Sequence, residues 1–235
     1  MTKIITAAYI MIGDEILSGR TKDENLNFLA VNLTDIGINL EEVRVVPDNE
    51  EEIINAIKQV KKKYNYIFTT GGIGPTHDDI TAQAIAKAFD DKIILNKEAE
   101  KILFSHYGRD NINSARLKMA KLPSKAVLLN NNITSAPGFM LDNVIVMAGV
   151  PKIMRSMFNS SLEFLDVGDK IISKELEIAT NESVIAKDLN ELQNKFPEVK
   201  IGSYPFFGGT SIVFRSFNKN KLDECYKIIS NKLHE

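Results

Sequence analysis

Three strand-length apolar runs, each followed by a stretch with helical spacing, constrain this chain more than any other feature. Residues 4–12 are almost continuously apolar, as in a strand buried on both faces. Residues 25–36 then place Leu26, Leu29, Ala30 and Leu33 on one helical face, with Gly37 as the stop. Residues 39–46 read as a second strand through Val43, Val45 and Val46, and Asp48 or Asn49 caps the helix that follows. That helix opens on Glu50, Glu51 and Glu52 and closes towards Lys61, Lys62 and Lys63, which suits its dipole at both ends. Tyr66–Thr70 is a third strand, and helical spacing returns over 81–89 and 98–107. Strands joined through helices in this order form a parallel sheet with helices on both faces.

Farther on, residues 127–129 read as a strand, and 139–141 with 144–147 as a hairpin turning at Asp142-Asn143. A helix covers 152 to 164. Near Val167-Gly168-Asp169 the pattern restarts with a strand over 171–178, a helix over 183–195, strands over 199–203 and 212–217, and a helix over 219–233. The expected fold is α/β. It is a three-layer α/β/α sandwich on a mostly parallel sheet over residues 1–166, with a small α+β (β-α-β-β-α) domain over 167–235.

Composition narrows the function. Of 235 residues, 44% are hydrophobic and 26% charged, enough apolar chain for a core and too much for a disordered segment. The 29 Lys and Arg against 31 Asp and Glu leave a net charge of −2, the wrong balance for neutralising nucleic-acid phosphates. Cys225 stands alone, which excludes a disulfide framework and a cysteine zinc site and fits a reducing, cytoplasmic location. Lys3 ahead of the run 4–12 has the outline of a short signal sequence. The run meets Gly13-Asp14-Glu15 instead of a cleavage site, so it reads as a buried strand. No stretch reaches the roughly 20 apolar residues of a membrane span, and no membrane partner is expected.

In open parallel sheets, ligands bind beyond the carboxyl ends of the strands. After the first strand, Gly13 and Gly19 permit a turn, and Asp14 and Glu15 are either turn residues or carboxylates of a site. Asp23 and Asn25 are either helix caps or part of the same site. After the third strand comes Gly71-Gly72-Ile73-Gly74-Pro75-Thr76-His77-Asp78-Asp79-Ile80-Thr81 and then a helix. Its glycines uncover backbone N–H groups beside a helix N-terminus, a cradle for a phosphate or diphosphate. No Gly-Lys-Ser/Thr follows, so it is not a Walker loop, and His77 stands where a dinucleotide fingerprint needs its third glycine.

Asp78 and Asp79 would repel a bare anion there; they make sense with a hard cation between carboxylates and phosphate. Lys118 either meets a phosphate or sits on a solvated helix face. Ser135-Ala136-Pro137-Gly138-Phe139 and Ala148-Gly149-Val150-Pro151 are tight turns, at a pocket edge or simply between strands. His77, His106 and His234 lack metal-ligand spacing, and the last two read as surface residues. The aromatics of Ser203-Tyr204-Pro205-Phe206-Phe207-Gly208-Gly209 form a loop that either packs or stacks on a flat ring.

Taken together, Gly13-Asp14-Glu15-Ile16-Leu17-Ser18-Gly19, Asp23-Glu24-Asn25, the run from Gly71 to Thr81, Ala136-Pro137-Gly138-Phe139 and Ala148-Gly149-Val150-Pro151 resemble the MoaB/Mog-like molybdopterin-binding superfamily. Within it they look like the N-terminal domain of the CinA proteins and the hydrolase-like half of FAD synthases. Ile201-Gly202-Ser203-Tyr204-Pro205-Phe206 is similar to the segment that follows in the FAD-synthase branch. The superfamily includes molybdopterin adenylyltransferases, insertion proteins and, in the CinA branch, metal-dependent ADP-ribose pyrophosphatases.

The resemblance implies that Gly71, Gly72 and Gly74 contact a diphosphate, with Thr76 and Lys118 beside them. It places Asp78 and Asp79 at the metal and the reacting phosphorus, and Asp14, Glu15 and Asn25 on the facing side. Pro137 and Gly138 shape the pocket edge. Asp78, Asp79 and Asp14 are thus the expected catalytic residues, and Asp78, Asp79 and Glu15 the expected metal ligands. Two departures touch the pocket wall: Asn131-Asn132-Ile133-Thr134-Ser135 replaces the usual Asn-Pro-Val-Gly-Thr, and Met119 a usual glutamine. Neither an amidohydrolase nor an FAD-synthesising segment follows in this sequence, so neither deamidation nor adenylyl transfer to flavin is expected.

The expected function is a Mg²⁺-, Mn²⁺- or Co²⁺-dependent pyrophosphohydrolase acting on ADP-ribose or a related compound such as FAD, in a homo-oligomer with a dimer favoured. The alternatives are molybdopterin binding or adenylylation, and a non-catalytic nucleotide-binding module.

Overall fold

A computed structural model of the chain describes residues 2–234, with side chains to residue 232. The expected surface position of the His234 side chain therefore lies outside the described residues. Two compact units are present, Ile4–Gly168 and a second that joins residues 2–3 to the chain from Asp169 onward.

The strands of the larger unit are β1 (Ile5–Ile12), β2 (Ile38–Val46), β3 (Tyr66–Thr70), β4 (Ile93–Leu95), β5 (Lys121–Pro123), β6 (Val127–Leu129), β7 (Gly138–Leu141) and β8 (Val144–Met147). Its helices are α1 (Asp14–Leu17), α2 (Asn25–Asp35), α3 (Glu50–Val60), α4 (Thr81–Ala88), α5 (Lys97–Tyr107), α6 (Ser114–Lys118) and α7 (Pro151–Ser161). Among the described residues the main sheet runs β2-β1-β3-β8-β7-β6. The first four strands are mutually parallel; β7 alone runs the opposite way, antiparallel to both β8 and β6.

The near-continuous apolar character of β1 follows from its central position. Ile5, Ala7, Tyr9 and Met11 pack on the side of α2 and α7, while Ala8, Ile10 and Ile12 pack on the side of α3, α4 and α5. Alternate residues of a strand face opposite layers, so both sets must be apolar when both faces are covered. This is the three-layer sandwich that the spacing implies.

Local signals place the helix ends. The Asn49 side chain caps α3 by accepting from the N–H groups of Glu51 and Glu52. Asp23 accepts from Asn25 N at 3.3 Å and Leu26 N at 2.8 Å, so it starts α2. Gly37 stops α2 at φ 76°, a left-handed conformation that favours glycine.

The second unit holds β9 (Ile172–Ile178), α8 (Glu182–Lys195), β10 (Lys200–Phe206), β11 (Gly209–Ser216) and α9 (Lys219–His234), with an antiparallel sheet in the order β10-β11-β9. Leu176, Ile185, Phe196, Phe214, Leu222 and Cys225 form its core. The aromatic segment corrects the sequence reading. Tyr204, Pro205 and Phe206 continue β10, and only Phe207-Gly208 make the turn into β11. Pro205 is compatible with a strand because β10 is at the sheet edge, where a missing N–H breaks no ladder. Gly208, at φ 94°, supplies the left-handed turn residue. The antiparallel pair β4–β5 was also not expected, because three residues per strand are too few for a periodicity to register.

Candidate functional site

The carboxyl ends of β1, β3 and β8 converge closely enough to fix which residues can stand there. Gly71 N donates to Met147 O and Gly13 N to Val46 O, both at 3.1 Å. A Cβ on Gly71 would stand 2.0 Å from the backbone oxygen of Ile12, and one on Gly149 would meet Gly71 Cα at 3.5 Å. Gly72 has φ 64°, and a Cβ there would lie 2.2 Å from Thr81 Oγ1. Thr81 uses that hydroxyl to donate to Gly71 O at 2.9 Å, while its N–H donates to Gly72 O at 3.0 Å. The first two glycines therefore let the start of α4 fold directly against the end of β3.

The remainder of the loop is held by its own side chains. Asp79 accepts from Thr76 N at 2.7 Å and from Thr76 Oγ1 at 2.5 Å, with its carboxylate against Gly74. Lys118 Nζ donates to the Thr76 carbonyl, tying α6 to the loop. Asp78 is exposed and lies 3.9 Å from His77. The Thr76 hydroxyl is the main influence holding Asp78 below the usual carboxylate range. Its own N–H, His77 and Lys118 add to this.

Beside the loop is a cavity of about 220 Å³. It brings together five residues singled out in the sequence: Gly72, Gly74, Asp79, Lys118 and Pro137. It also brings in Ala82 and Gln83 from the start of α4, Ile93 of β4, Met119, and Lys121 and Leu122 of β5. Those on the β4–β5 ribbon were missed because the ribbon itself was not legible. Gly138 is buried beneath this edge, where a Cβ would stand 2.6 Å from Val146 O.

A second group of side chains lies at the ends of β1 and β2. Asp48 accepts the Asp14 N–H at 3.0 Å. Burial pushes the Asp48 carboxyl up, the Asp14 N–H bond opposes this, and the charges of Glu15, Asp14 and Asp78 raise it further. Carboxylates from two other loops are thus within electrostatic reach of Asp48. Sequence reading placed Asp48 only as a possible helix cap. The structure gives the cap to Asn49, which releases Asp48 from that role.

Asn25 is buried near the same edge. Its amide donates to Gly149 O at 2.8 Å, and its Oδ1 has no hydrogen-bond partner among the described residues. Close by, the buried Tyr9 hydroxyl is 2.6 Å from Thr70 Oγ1, and burial pushes its pKa well up.

Among the described residues, no three or more His, Cys, Asp and Glu side chains form a set that could hold a metal by themselves. Magnesium commonly takes only one or two carboxylates and completes its shell with substrate phosphates and water. Likewise among the described residues, no helix is long and apolar enough to cross a membrane.

Comparison with known proteins agrees with this architecture. Residues 8–167 match a family described as a probable molybdopterin binding domain, and residues 170–235 match the middle domain of FAD synthase. A protein of Archaeoglobus fulgidus is 31% identical over 226 residues, covering 96% of this chain and 97% of its own length. A probable FAD synthase of Caenorhabditis elegans is 30% identical over 85% of this chain, which spans 44% of that relative. The crystal structure of the protein CinA from Thermoplasma acidophilum, described as of unknown function, superposes with a TM-score of 0.65 at 31% identity. It covers 68% of this chain and 98% of its own.

Proposed function

Because this chain belongs to the molybdopterin-binding domain family and carries a FAD synthase middle domain behind it, we propose that it hydrolyses the diphosphate of ADP-ribose or a related compound such as FAD, using a divalent cation. The observation that supports this reading best is the juxtaposition of two unlike features. A glycine loop with Lys118 and Lys121 at its cavity suits a diphosphate, and the carboxylates of Asp14, Glu15 and Asp78, whose charges all reach Asp48, suit a cation. Neither feature alone needs the other; a cation–diphosphate pair needs both.

In this reading Gly72, Gly74 and the lysines bind and orient the diphosphate. One or two of the carboxylates of Glu15, Asp48, Asp78 and Asp79 would hold the cation together with the diphosphate; when bound, the cation would neutralise phosphate charge and make phosphorus a better electrophile. Asp78 is ionised at neutral pH and exposed to water, so it can orient the attacking water; Asp14 is the other carboxylate near that position. No covalent nucleophile is required.

The test is product analysis after incubation with ADP-ribose, FAD, NAD and ATP, each with Mg²⁺, Mn²⁺, Co²⁺ or chelator. AMP is expected from ADP-ribose or FAD with metal only. Asp78→Asn should remain folded and lose on the order of a hundredfold in turnover. Absence of product under every condition, or wild-type rates in that variant, would overturn the hydrolase reading. The family match favours one rival, pterin binding or adenylylation, and ATP-dependent consumption of molybdopterin would be its mark.

A further inference from the structure

We infer that the open face of the β10-β11-β9 sheet is a two-fold interface that binds the same face of a second copy of this chain. The inference concerns the second unit alone and does not depend on the hydrolase reading.

Alternation along the strands defines the face. Ile212 and Phe214 of β11 belong to the core of the unit, so Val213 and Arg215 lie on the opposite side of the sheet. The register brings Lys200, Gly202 and Tyr204 of β10 and Glu175 and Glu177 of β9 onto that side with them. The middle of the face is apolar. Val213 stands at its centre, and the Tyr204 ring lies against Gly202, where a Cβ would come within 3.1 Å of the phenol oxygen. Tyr204 is nonetheless half exposed.

Charge is separated across this face, and neither sign is balanced within one copy. Lys200 and Arg215 are direct antiparallel partners, and like charges opposed across a ladder are unfavourable. Glu175 and Glu177 stand two residues apart on the same side of β9. All four are exposed. Among the described residues, Lys200, Arg215 and Glu177 have no side-chain hydrogen bond or ion pair, and Glu175 accepts only from the Ser211 hydroxyl. A second copy supplies what is missing. Arg215 lies two residues along β11 from Val213, about 7 Å, and Glu175 one strand across from it, about 5 Å. Lys200 and Glu177 occupy opposite corners about the same centre. A two-fold axis in the interface plane, passing Val213 diagonally to the strands, exchanges these two directions. It sets Arg215 against Glu175 of the second copy and Lys200 against its Glu177, each reciprocally. Val213 and Tyr204 then meet their own counterparts, and the two sheets cross near a right angle, one of the two ways in which sheets pack face to face. A self-complementary contact of this kind closes at two copies. A purely basic or purely acidic partner would satisfy only one of the two corners.

Charge reversal tests the pairing, with sedimentation velocity of the full chain reading its assembly state over a concentration series. The wild type should show an association step that weakens as salt rises. Arg215→Glu and Glu175→Arg should each weaken that step about tenfold or more, since each opposes like charges twice across the axis. An equimolar mixture of the two variants should restore it, because each copy then meets the opposite charge at both contacts. Association through any other surface is common to all the samples and cancels from the comparison. Both positions are exposed, so the variants should fold, and circular dichroism checks that they do.

The absence of an association step in the wild type would overturn the inference. So would a mixture that stays as weak as its components. Loss in Arg215→Glu with none in Glu175→Arg would overturn it in favour of an anionic partner at the Lys200–Arg215 corner, and the reverse pattern in favour of a basic one at Glu175 and Glu177.

Discussion

Asp48 shows how a single residue can be stabilising for the site and unfavourable for the fold. Its carboxyl is pushed up by burial and by the neighbouring charges of Glu15, Asp14 and Asp78. A carboxyl whose folded pKa is raised favours the folded state at low pH, and that contribution is lost as pH rises through the folded value. At neutral pH the ionised Asp48 therefore opposes folding. Asp48→Asn keeps an oxygen to accept the Asp14 N–H and removes the repulsion. The expected outcome is a higher thermal midpoint at pH 7 and a gain that shrinks towards pH 3, together with turnover lower by on the order of a hundredfold. A variant that is less stable at pH 7 would contradict this account. Residues of this type were the hardest to read from sequence. Asp78 and Asp79 stand out because they follow a glycine loop, whereas Asp48 is separated from them by about thirty residues and becomes their neighbour only through the parallel order of β1, β2 and β3. A strand end carries no periodic signal that distinguishes a cap from a ligand.

Among the elements, the edge strand β2 has a different electrostatic arrangement. Glu42 accepts from the Tyr64 hydroxyl at 2.6 Å, from Lys63 Nζ at 2.9 Å and from Arg44 Nε at 2.6 Å. With Tyr64 the largest influence, these donors hold its carboxyl down at about 2. A depressed carboxyl stabilises the fold above its ordinary range, and this is lost as pH falls through about 2. Urea denaturation between pH 5 and pH 2 should thus show the wild-type midpoint falling, with a flatter fall in Glu42→Gln. Identical slopes would show that the network does not contribute. These contacts tie β2 to the segment after α3, which the lysines at 61–63 were expected only to end. Lys61 instead reaches the Ala88 carbonyl at 2.5 Å. Long elements with two-sided burial were legible because packing imposes their period: β1, α2, α3 and β3 fall within a residue or two of where the pattern puts them. The β4–β5 ribbon was not, since its three-residue strands are defined by partners and not by their own period. The part of the cavity wall formed by Ile93, Lys121 and Leu122 was therefore invisible before the fold was known.

For the whole molecule, the proposed cation would either belong to the protein or arrive with its ligand. The described carboxylates do not form a group of three that could hold a metal alone, and the Asp48 carboxyl is pushed up first by burial and then by the charges of Glu15, Asp14 and Asp78. A diphosphate would change that balance by supplying oxygens to complete the cation's shell, while the cation offsets repulsion between phosphate and carboxylates. Binding should therefore be strongly coupled, and by linkage the coupling is the same whichever partner is added first. A ligand that binds only the folded state raises stability by RT ln(1 + [L]/Kd), about 2.7 kcal/mol at a hundred times Kd. Thermal unfolding of the full chain would be followed with Mg²⁺ alone, with the uncleavable α,β-methylene analogue of ADP-ribose alone, and with both. Each single addition should move the midpoint little, and the pair should move it by clearly more than the sum. Asp78→Asn should reduce that excess while leaving the shift from the analogue alone nearly unchanged. A large shift from Mg²⁺ alone would mean that the chain holds a resident ion, and simple additivity would mean that the cation and the diphosphate do not share a site.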